Sequence, residues 1–159
     1  MYEATFPALV RFLYRKVWDA DRARDLAQEV FVRVLDHDPV QPRAFVFSVA
    51  ANLARDTARS DIRRRRHLEL VRVDPPLGPA TPDEEMEKGE RIAAVRAALG
   101  SLSERDREVL LLWDGGLNYD EIAAQTGLAR KAVGTTLSRA RKRLVEAYDR
   151  KASSDAALG

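Results

Sequence analysis

The sequence predicts an all-α protein: two small helical domains joined by a flexible, acidic, proline-rich linker, the second containing a helix-turn-helix. Three observations carry that expectation. Apolar residues recur at helical spacing along most of the chain, and strand-like alternation is scarce. The segment VDPPLGPATP, residues 73–82, holds four prolines and a glycine, which no helix continues through. The segment YDEIAAQTGLARKAVGTTLSRARKRL, residues 119–144, reads as two short helices on either side of a glycine turn. The expected division is a first domain over 1–72, a linker over 73–82, a second domain over 83–150 and a tail over 151–159.

Each element has its own signal. In the first helix, Phe6, Leu9, Val10, Leu13 and Val17 form one apolar stripe. A second helix begins near Asp21 and turns Ala23, Leu26, Ala27, Val30 and Val34 inward. HDPVQP, from His37 to Pro42, is a loop because its prolines punctuate both sides. The third helix starts near Arg43, with Phe45, Val46, Val49, Ala50 and Leu53 inward. After the linker, Thr81-Pro82-Asp83-Glu84 has the order of a helix start, with Thr as cap, Pro in the first turn and Glu in the capping-box position. Ile92, Val95 and Leu99 give that helix its buried face. Ser103 opens the next, with Val109 and Leu112 inward; Gly115 and Gly116 end it, and Asn118 caps its successor. The last two helices turn at Gly127, where glycine takes the positive-φ corner, Ala123 lets the helices approach and Val133 fills the angle between them.

Composition narrows the function classes. No apolar run approaches the roughly 18 residues that span a bilayer, so no membrane insertion is expected. The opening MYEATFPALVRFLYRK lacks a secretory layout, and intracellular residence is the expectation. There is no cysteine, which excludes disulfides and thiolate metal sites, and His37 and His67 are too few and too separated for an imidazole site. Neither metal nor cofactor is expected. The net charge is only +2, but it is unevenly spread: a local net of +4 over Arg59–Arg72, −5 over Asp74–Glu90 and +6 over Arg130–Lys151. Two basic blocks around an acidic spacer suggest two contacts with an anionic polymer.

Three constellations are candidates for function. On the last helix, Val133, Leu137, Ala140 and Leu144 face inward, which turns Arg130, Lys131, Thr135, Ser138, Arg139 and Lys142 outward. A basic helix of this kind, following a glycine turn, suits a DNA groove. On the third helix Ser48, Asn52, Arg55 and Arg59 share one side, and Arg63, Arg64, Arg65 and Arg66 follow. Asn and Arg suit base edges and phosphates, and Phe45 and Phe47 are either core or platforms for unpaired bases. On the second helix Asp25, Gln28 and Glu29 share a face opposite the apolar stripe, a patch for a basic partner surface.

The ordered set resembles the extracytoplasmic-function group of bacterial sigma factors. Asp21-Arg-Ala-Arg-Asp-Leu-Ala-Gln-Glu-Val-Phe31 is similar to the DAEDLxQEVF signature of the second conserved sigma region, and Ala50-Ala-Asn-Leu-Ala-Arg-Asp56 to its promoter-opening helix. Leu102-Ser-Glu-Arg-Asp-Arg-Glu-Val-Leu-Leu-Leu112, the helix-turn-helix over 119–142 and Ser138-Arg-Ala-Arg-Lys-Arg-Leu144 resemble the fourth. The likeness runs from about Phe6 to Tyr148.

The resemblance implies a non-catalytic, cytoplasmic subunit that binds core RNA polymerase, through its β and β′ subunits, and directs promoter recognition, melting and transcription initiation. Asp25, Gln28 and Glu29 match the acidic face that grips the β′ clamp helices. The loop from His37 to Arg43, including Asp38 and Gln41, matches the loop that captures a flipped base of the minus-ten element; Asn52 and Arg55 match positions near that strand. The acidic linker matches the connector threaded through the polymerase's RNA path, and the last helix matches the reader of the minus-thirty-five element. An anti-sigma factor is a further implied partner. The chain departs from the family pattern at Ala129, where Ser usually caps, at Gly134 and Thr136, where basic residues are usual, and at Phe45, where Trp is usual. Direct base reading is therefore expected to rest on Arg130, Lys131, Thr135 and Arg139.

Two other readings account for parts of the chain. A dimeric regulator of the response-regulator output type explains residues 100–145 and leaves the Asp21–Phe31 signature unexplained. An enzyme using Asp25 and Glu29 as a carboxylate pair lacks a nucleophile or a pocket to go with them.

Overall fold

A computed structural model of the chain describes residues 2–67 and 82–158. Among them it contains seven helices and no strand: α1 (Tyr2–Val17), α2 (Ala20–Val34), α3 (Pro42–His67), α4 (Pro82–Gly100), α5 (Glu104–Asp114), α6 (Tyr119–Thr126) and α7 (Arg130–Leu158). Residues 73–81 of the expected linker, with the Thr81 cap, lie outside the described residues. Pro82, expected to close the linker, is the first residue of α4. The expected tail is helical through Leu158, continuous with α7.

Helices α1 to α3 pack around Leu9, Phe12, Leu13, Ala27, Val30, Val46, Phe47 and Ala50, all essentially inaccessible to water. Burial of each large apolar side chain here contributes on the order of 1.5–3 kcal/mol. Helix α2 starts at Ala20, beside the expected Asp21: Asp19, extended at φ −134°, accepts from the Arg22 backbone N–H at 3.1 Å and supplies the N-cap. Helices α4 to α7 form the second unit around Ala98, Leu99, Val109, Leu112, Ile122, Val133, Leu137 and Ala140. Its boundaries follow local chemistry. Ser103 accepts from the Asp106 N–H, and Asn118 and Glu121 make a reciprocal capping box. Gly127 ends α6 at φ +78°, the left-handed corner expected of it. On α4 the deeply buried residues are Ala94, Ala98 and Leu99, with Ile92 and Val95 only partly covered.

The two units are not held apart. Helix α1 touches α5, α3 touches α6, and one continuous apolar core runs through both. Phe47 is the junction. Its ring meets Phe12 edge-on at 5.2 Å, and Gly115, at the end of α5, lies against the same ring. Phe47 is therefore core, not a stacking platform, and Phe45 is half-buried with its ring 5.3 Å from that of His37.

Candidate nucleic-acid interface

Helix α7 presents its outer face because Val133, Leu137 and Ala140 are pinned under α5 and α6. The geometry leaves Arg130, Lys131, Thr135, Ser138, Arg139 and Lys142 exposed on that helix. They are not equally available. The Arg130 Nε donates to Asp120 Oδ1 at 2.6 Å, and the Arg139 Nη2 reaches Asp106 Oδ1 at 3.4 Å. Lys131, Thr135, Ser138 and Lys142 form a row that follows the helix axis.

The two unusual positions have a structural account. Thr136 is 5% exposed and points inward, so it lies off the exposed face. Gly134 lies under the Tyr119 ring, where an added Cβ would sit 3.4–3.7 Å from it; the tyrosine occupies space that a long side chain would claim. Tyr119 in turn lies 5.5 Å from Trp113, over which Arg141 stacks. The deficit of basic side chains at 134 and 136 is thus a consequence of packing.

Arg143 was not among the sequence candidates. It joins Arg139 on the carboxylate of Asp106, at 3.1 Å, and Asp106 is only 2% exposed. First-turn acids of helices are ordinarily solvated, and no sequence signal separates this one from Glu104 beside it. The pair of arginines at i and i+4 on α7 was the available hint.

Helix α3 carries Asn52, Arg55 and Arg59 exposed, with Ser48 half-buried. Arg63, Arg64 and Arg65 continue the helix, but their side chains lie outside the described residues. His37, Asp38 and Gln41 are exposed in the loop before α3. Arg43 is half-buried, its Nη1 donating to the Gly116 carbonyl at 3.3 Å. Gln41 and Ser48 line an open cleft of about 370 Å³ whose other wall is Glu121, Ala124 and Gln125 of α6. Arg55 lines a second, of about 490 Å³, with Glu104, Arg105 and Glu108 of α5.

Asp25, Gln28 and Glu29 are all exposed on the outer face of α2, and Glu29 accepts from Arg33 one turn on at 2.7 Å. Sequence reasoning left out their neighbours Val32 and Leu35, exposed at 66% and 76%. They extend the same face, so the patch is acidic at one end and apolar at the other. No described helix is long and apolar enough to cross a membrane.

Comparison with known proteins agrees with this layout. The Sigma-70 region 2 model matches residues 1–66, and the Sigma-70 region 4 model matches residues 92–144. The ECF RNA polymerase sigma factor EcfG of Rhodopseudomonas palustris is 31% identical over 144 residues, covering 89% of this chain and 79% of the relative. The ferric citrate uptake sigma factor FecI of Escherichia coli is 29% identical over 137 residues, covering 83% and 79%. Among solved structures, the sigma factor RpoE of Bartonella quintana, in complex with the anti-sigma factor NepR, superposes with a TM-score of 0.64 at 25% identity, covering 93% of this chain and 94% of that one. CnrH, solved with the cytosolic domain of CnrY, gives the same score at 28% identity, covering 93% and 84%; CnrH is a sigma factor of Cupriavidus metallidurans. A response-regulator output domain would account for the second match and not the first. This chain, with both regions in order on seven helices, belongs to the extracytoplasmic-function sigma factors and directs promoter-specific initiation of transcription.

Proposed function

We propose a division of labour among three surfaces. The α2 face of Asp25, Gln28 and Glu29 docks on the β′ clamp helices of core polymerase. The α3 row of Asn52, Arg55 and Arg59, with the His37–Arg43 loop, holds the melted minus-ten strand; the α7 row reads the minus-thirty-five duplex. The chain itself catalyses nothing and works in the cytoplasm, and an anti-sigma factor, such as those bound to RpoE and CnrH, is a fitting partner.

The observation that carries this reading is the pair of outward polar rows on separate units, Asn52–Arg55–Arg59 and Lys131–Thr135–Ser138–Lys142. Each row is short and buries little DNA. Tethered to one polymerase, they act at high effective concentration on one promoter. Flipping a base out costs a few kcal/mol, which phosphate contacts and a preformed loop offset.

The test is run-off transcription with core polymerase on a genomic fragment library, mapping start sites that require the protein. New start sites preceded by two shared elements support the proposal. Association with core polymerase without new start sites refutes it, as does tight palindrome binding by the free protein.

A further inference from the structure

We infer that Asp106 is a positioning residue for sequence recognition: its buried carboxylate holds the Arg139 guanidinium beside the outward row of α7, with one two-donor edge left to read a guanine. The inference rests on the assignment of α7 to duplex DNA made above.

Asp106 is the third residue of α5, where a capping-box acid folds back on the cap's own backbone N–H. Here the Ser103 hydroxyl accepts from the Asp106 N–H, and both carboxylate oxygens are turned to α7 instead. Oδ1 accepts from Arg139 Nη2 at 3.4 Å, and Oδ2 from Arg143 Nη1 at 3.1 Å. The acid's side chain is 3% exposed, against 50% and 56% for the two arginines. A carboxylate so placed is costly to leave unpaired, and it is the fixed point of the cluster. Val109 and Leu112 on α5, and Leu137 and Ala140 on α7, are buried around it, so its position follows the packing of the two helices.

The stereochemistry leaves Arg139 able to read. A guanidinium carries five N–H donors in one plane, and Nη2 contributes one hydrogen to each of the fork's two-donor edges, Nη1–Nη2 and Nε–Nη2. Giving one of these hydrogens to Oδ1 leaves the other edge whole. A two-donor edge is what matches O6 and N7 of guanine in the major groove. Arg139 follows Ser138 and stands one turn after Thr135, so it flanks the row Lys131–Thr135–Ser138–Lys142 on the side that faces α5. An untethered arginine reaches phosphates as easily as bases and loses more rotamer freedom on binding. Anchored at one nitrogen it arrives pre-oriented, so the carboxylate lowers general attraction to DNA and raises discrimination.

The test uses the chain bound to core polymerase and a promoter duplex found by the run-off mapping, with single base-pair replacements through its upstream element. Discrimination is the ratio of affinities for the parent duplex and each replacement, measured by competition. Arg139→Ala should lose discrimination at one G·C pair, about fivefold or more. Asp106→Ala should lose it at the same pair, while affinity for mixed-sequence duplex stays level or rises up to about threefold, because one negative charge is gone. The double variant should discriminate no worse than Arg139→Ala alone, as expected when one residue acts through the other. Asp106→Asn, which keeps the size and one oxygen acceptor, should fall between wild type and Asp106→Ala, and carries the comparison if Asp106→Ala does not fold. Arg143→Ala leaves the whole carboxylate to Arg139 and should keep the preference. Lost stability alone would weaken binding of every duplex alike, so the ratio separates recognition from packing. Discrimination left intact in the Asp106 variants, at the pair that Arg139→Ala affects, overturns the inference, and so does a loss that falls on an A·T pair. It is overturned too if Arg139→Ala discriminates as the wild type does while Lys131→Ala binds more weakly. If Arg139→Ala and Lys131→Ala both leave every affinity unchanged, the assignment of α7 to DNA fails with it.

Discussion

Asp106 on α5 and Arg143 on α7 lie 37 positions apart in sequence and meet at 3.1 Å, with the carboxylate almost wholly shielded and the guanidinium half in water. Arg139 reaches the other oxygen of the same carboxylate at 3.4 Å. One buried acid thus fixes two successive turns of α7 against the helix that precedes the turn motif. Replacing Asp106 with Ala removes both charge-assisted bonds from a packed site, while the released arginines remain free to hydrate. The expected loss is about 1–3 kcal/mol of stability, less than for a pair buried at both ends. Urea unfolding of the purified chain measures it; an unchanged midpoint would mean that the pair does not form in solution.

Two glycines seven residues apart, Gly127 at the helix-turn-helix corner and Gly134 within α7, should respond to alanine with opposite signs. At Gly127 nothing crowds an added Cβ, but the backbone is left-handed at φ +78°, so Gly127→Ala should cost about 1–2 kcal/mol. At Gly134 the backbone is interior helix and the added Cβ would make ordinary contact with Tyr119. Gly134→Ala should therefore stabilise the chain by roughly 0.5–1 kcal/mol. Thermal unfolding of both variants checks the pair, and the same sign for both would contradict the helix boundary at Gly127.

Much of this was legible from residues alone because caps and corners are local. Ser103, Asn118 and Gly127 act within three or four residues of themselves, and their side chains or φ angles identify them. Phe47 was harder. The stripe through Phe45, Val46 and Val49 describes one apolar face of α3, whereas Phe47, Ala51 and Ala54 are buried on a flank that the second unit covers. Amphipathic periodicity reports the face turned to a helix's own domain, and a second buried flank blurs it. Gly115 and Gly116 were read as a helix stop for the same reason: their partners, Phe47 and Arg43, lie about seventy residues away. For α2 the acidic patch was legible as a set of positions on one face, but the exposure of Val32 and Leu35 was not, since apolar residues on a helix are expected inside.

If the α2 face docks on polymerase, Asp25→Ala combined with Glu29→Ala should weaken association with core polymerase by at least about tenfold while leaving the fold intact. Both side chains are exposed, and among the described residues Glu29 gives up the exposed Arg33, a contact worth about 0.3–0.5 kcal/mol. Native gel shift of core polymerase with the labelled chain gives the affinity, and circular dichroism guards against misfolding. Unaltered affinity would remove the docking role from this face.

On α7, Lys131 is exposed and belongs to the outward row proposed to meet duplex DNA. Lys131→Ala should weaken binding of duplex promoter fragments about equally for all sequences and lower the slope of log affinity against log salt by about 1. Thr135→Ala, which removes no charge, should leave that slope unchanged. A sequence-dependent loss at Lys131 would instead mark it as a reader of bases.

Asp120 tests whether the recognition helix is held back by its own neighbour. The ion pair with Arg130, 2.6 Å long, is about two-thirds exposed at both partners, so it contributes only about 0.2–1 kcal/mol to the free chain. That is little enough for a phosphate to displace, but the carboxylate stays where it is and repels the incoming backbone. Asp120→Asn relieves both effects at once, and should tighten binding of the polymerase-bound chain to promoter duplex about two- to fivefold at low salt. The gain should shrink as ionic strength rises and the Debye length shortens. Arg130→Ala should also cost more affinity in the Asp120→Asn background than in the wild type, because the arginine is then free to contact DNA. Fluorescence anisotropy across a salt series measures all three chains. Equal affinity of Asp120→Asn and wild type at every salt concentration would place Arg130 away from the DNA backbone, leaving Lys131 and Lys142 as the phosphate contacts of this helix.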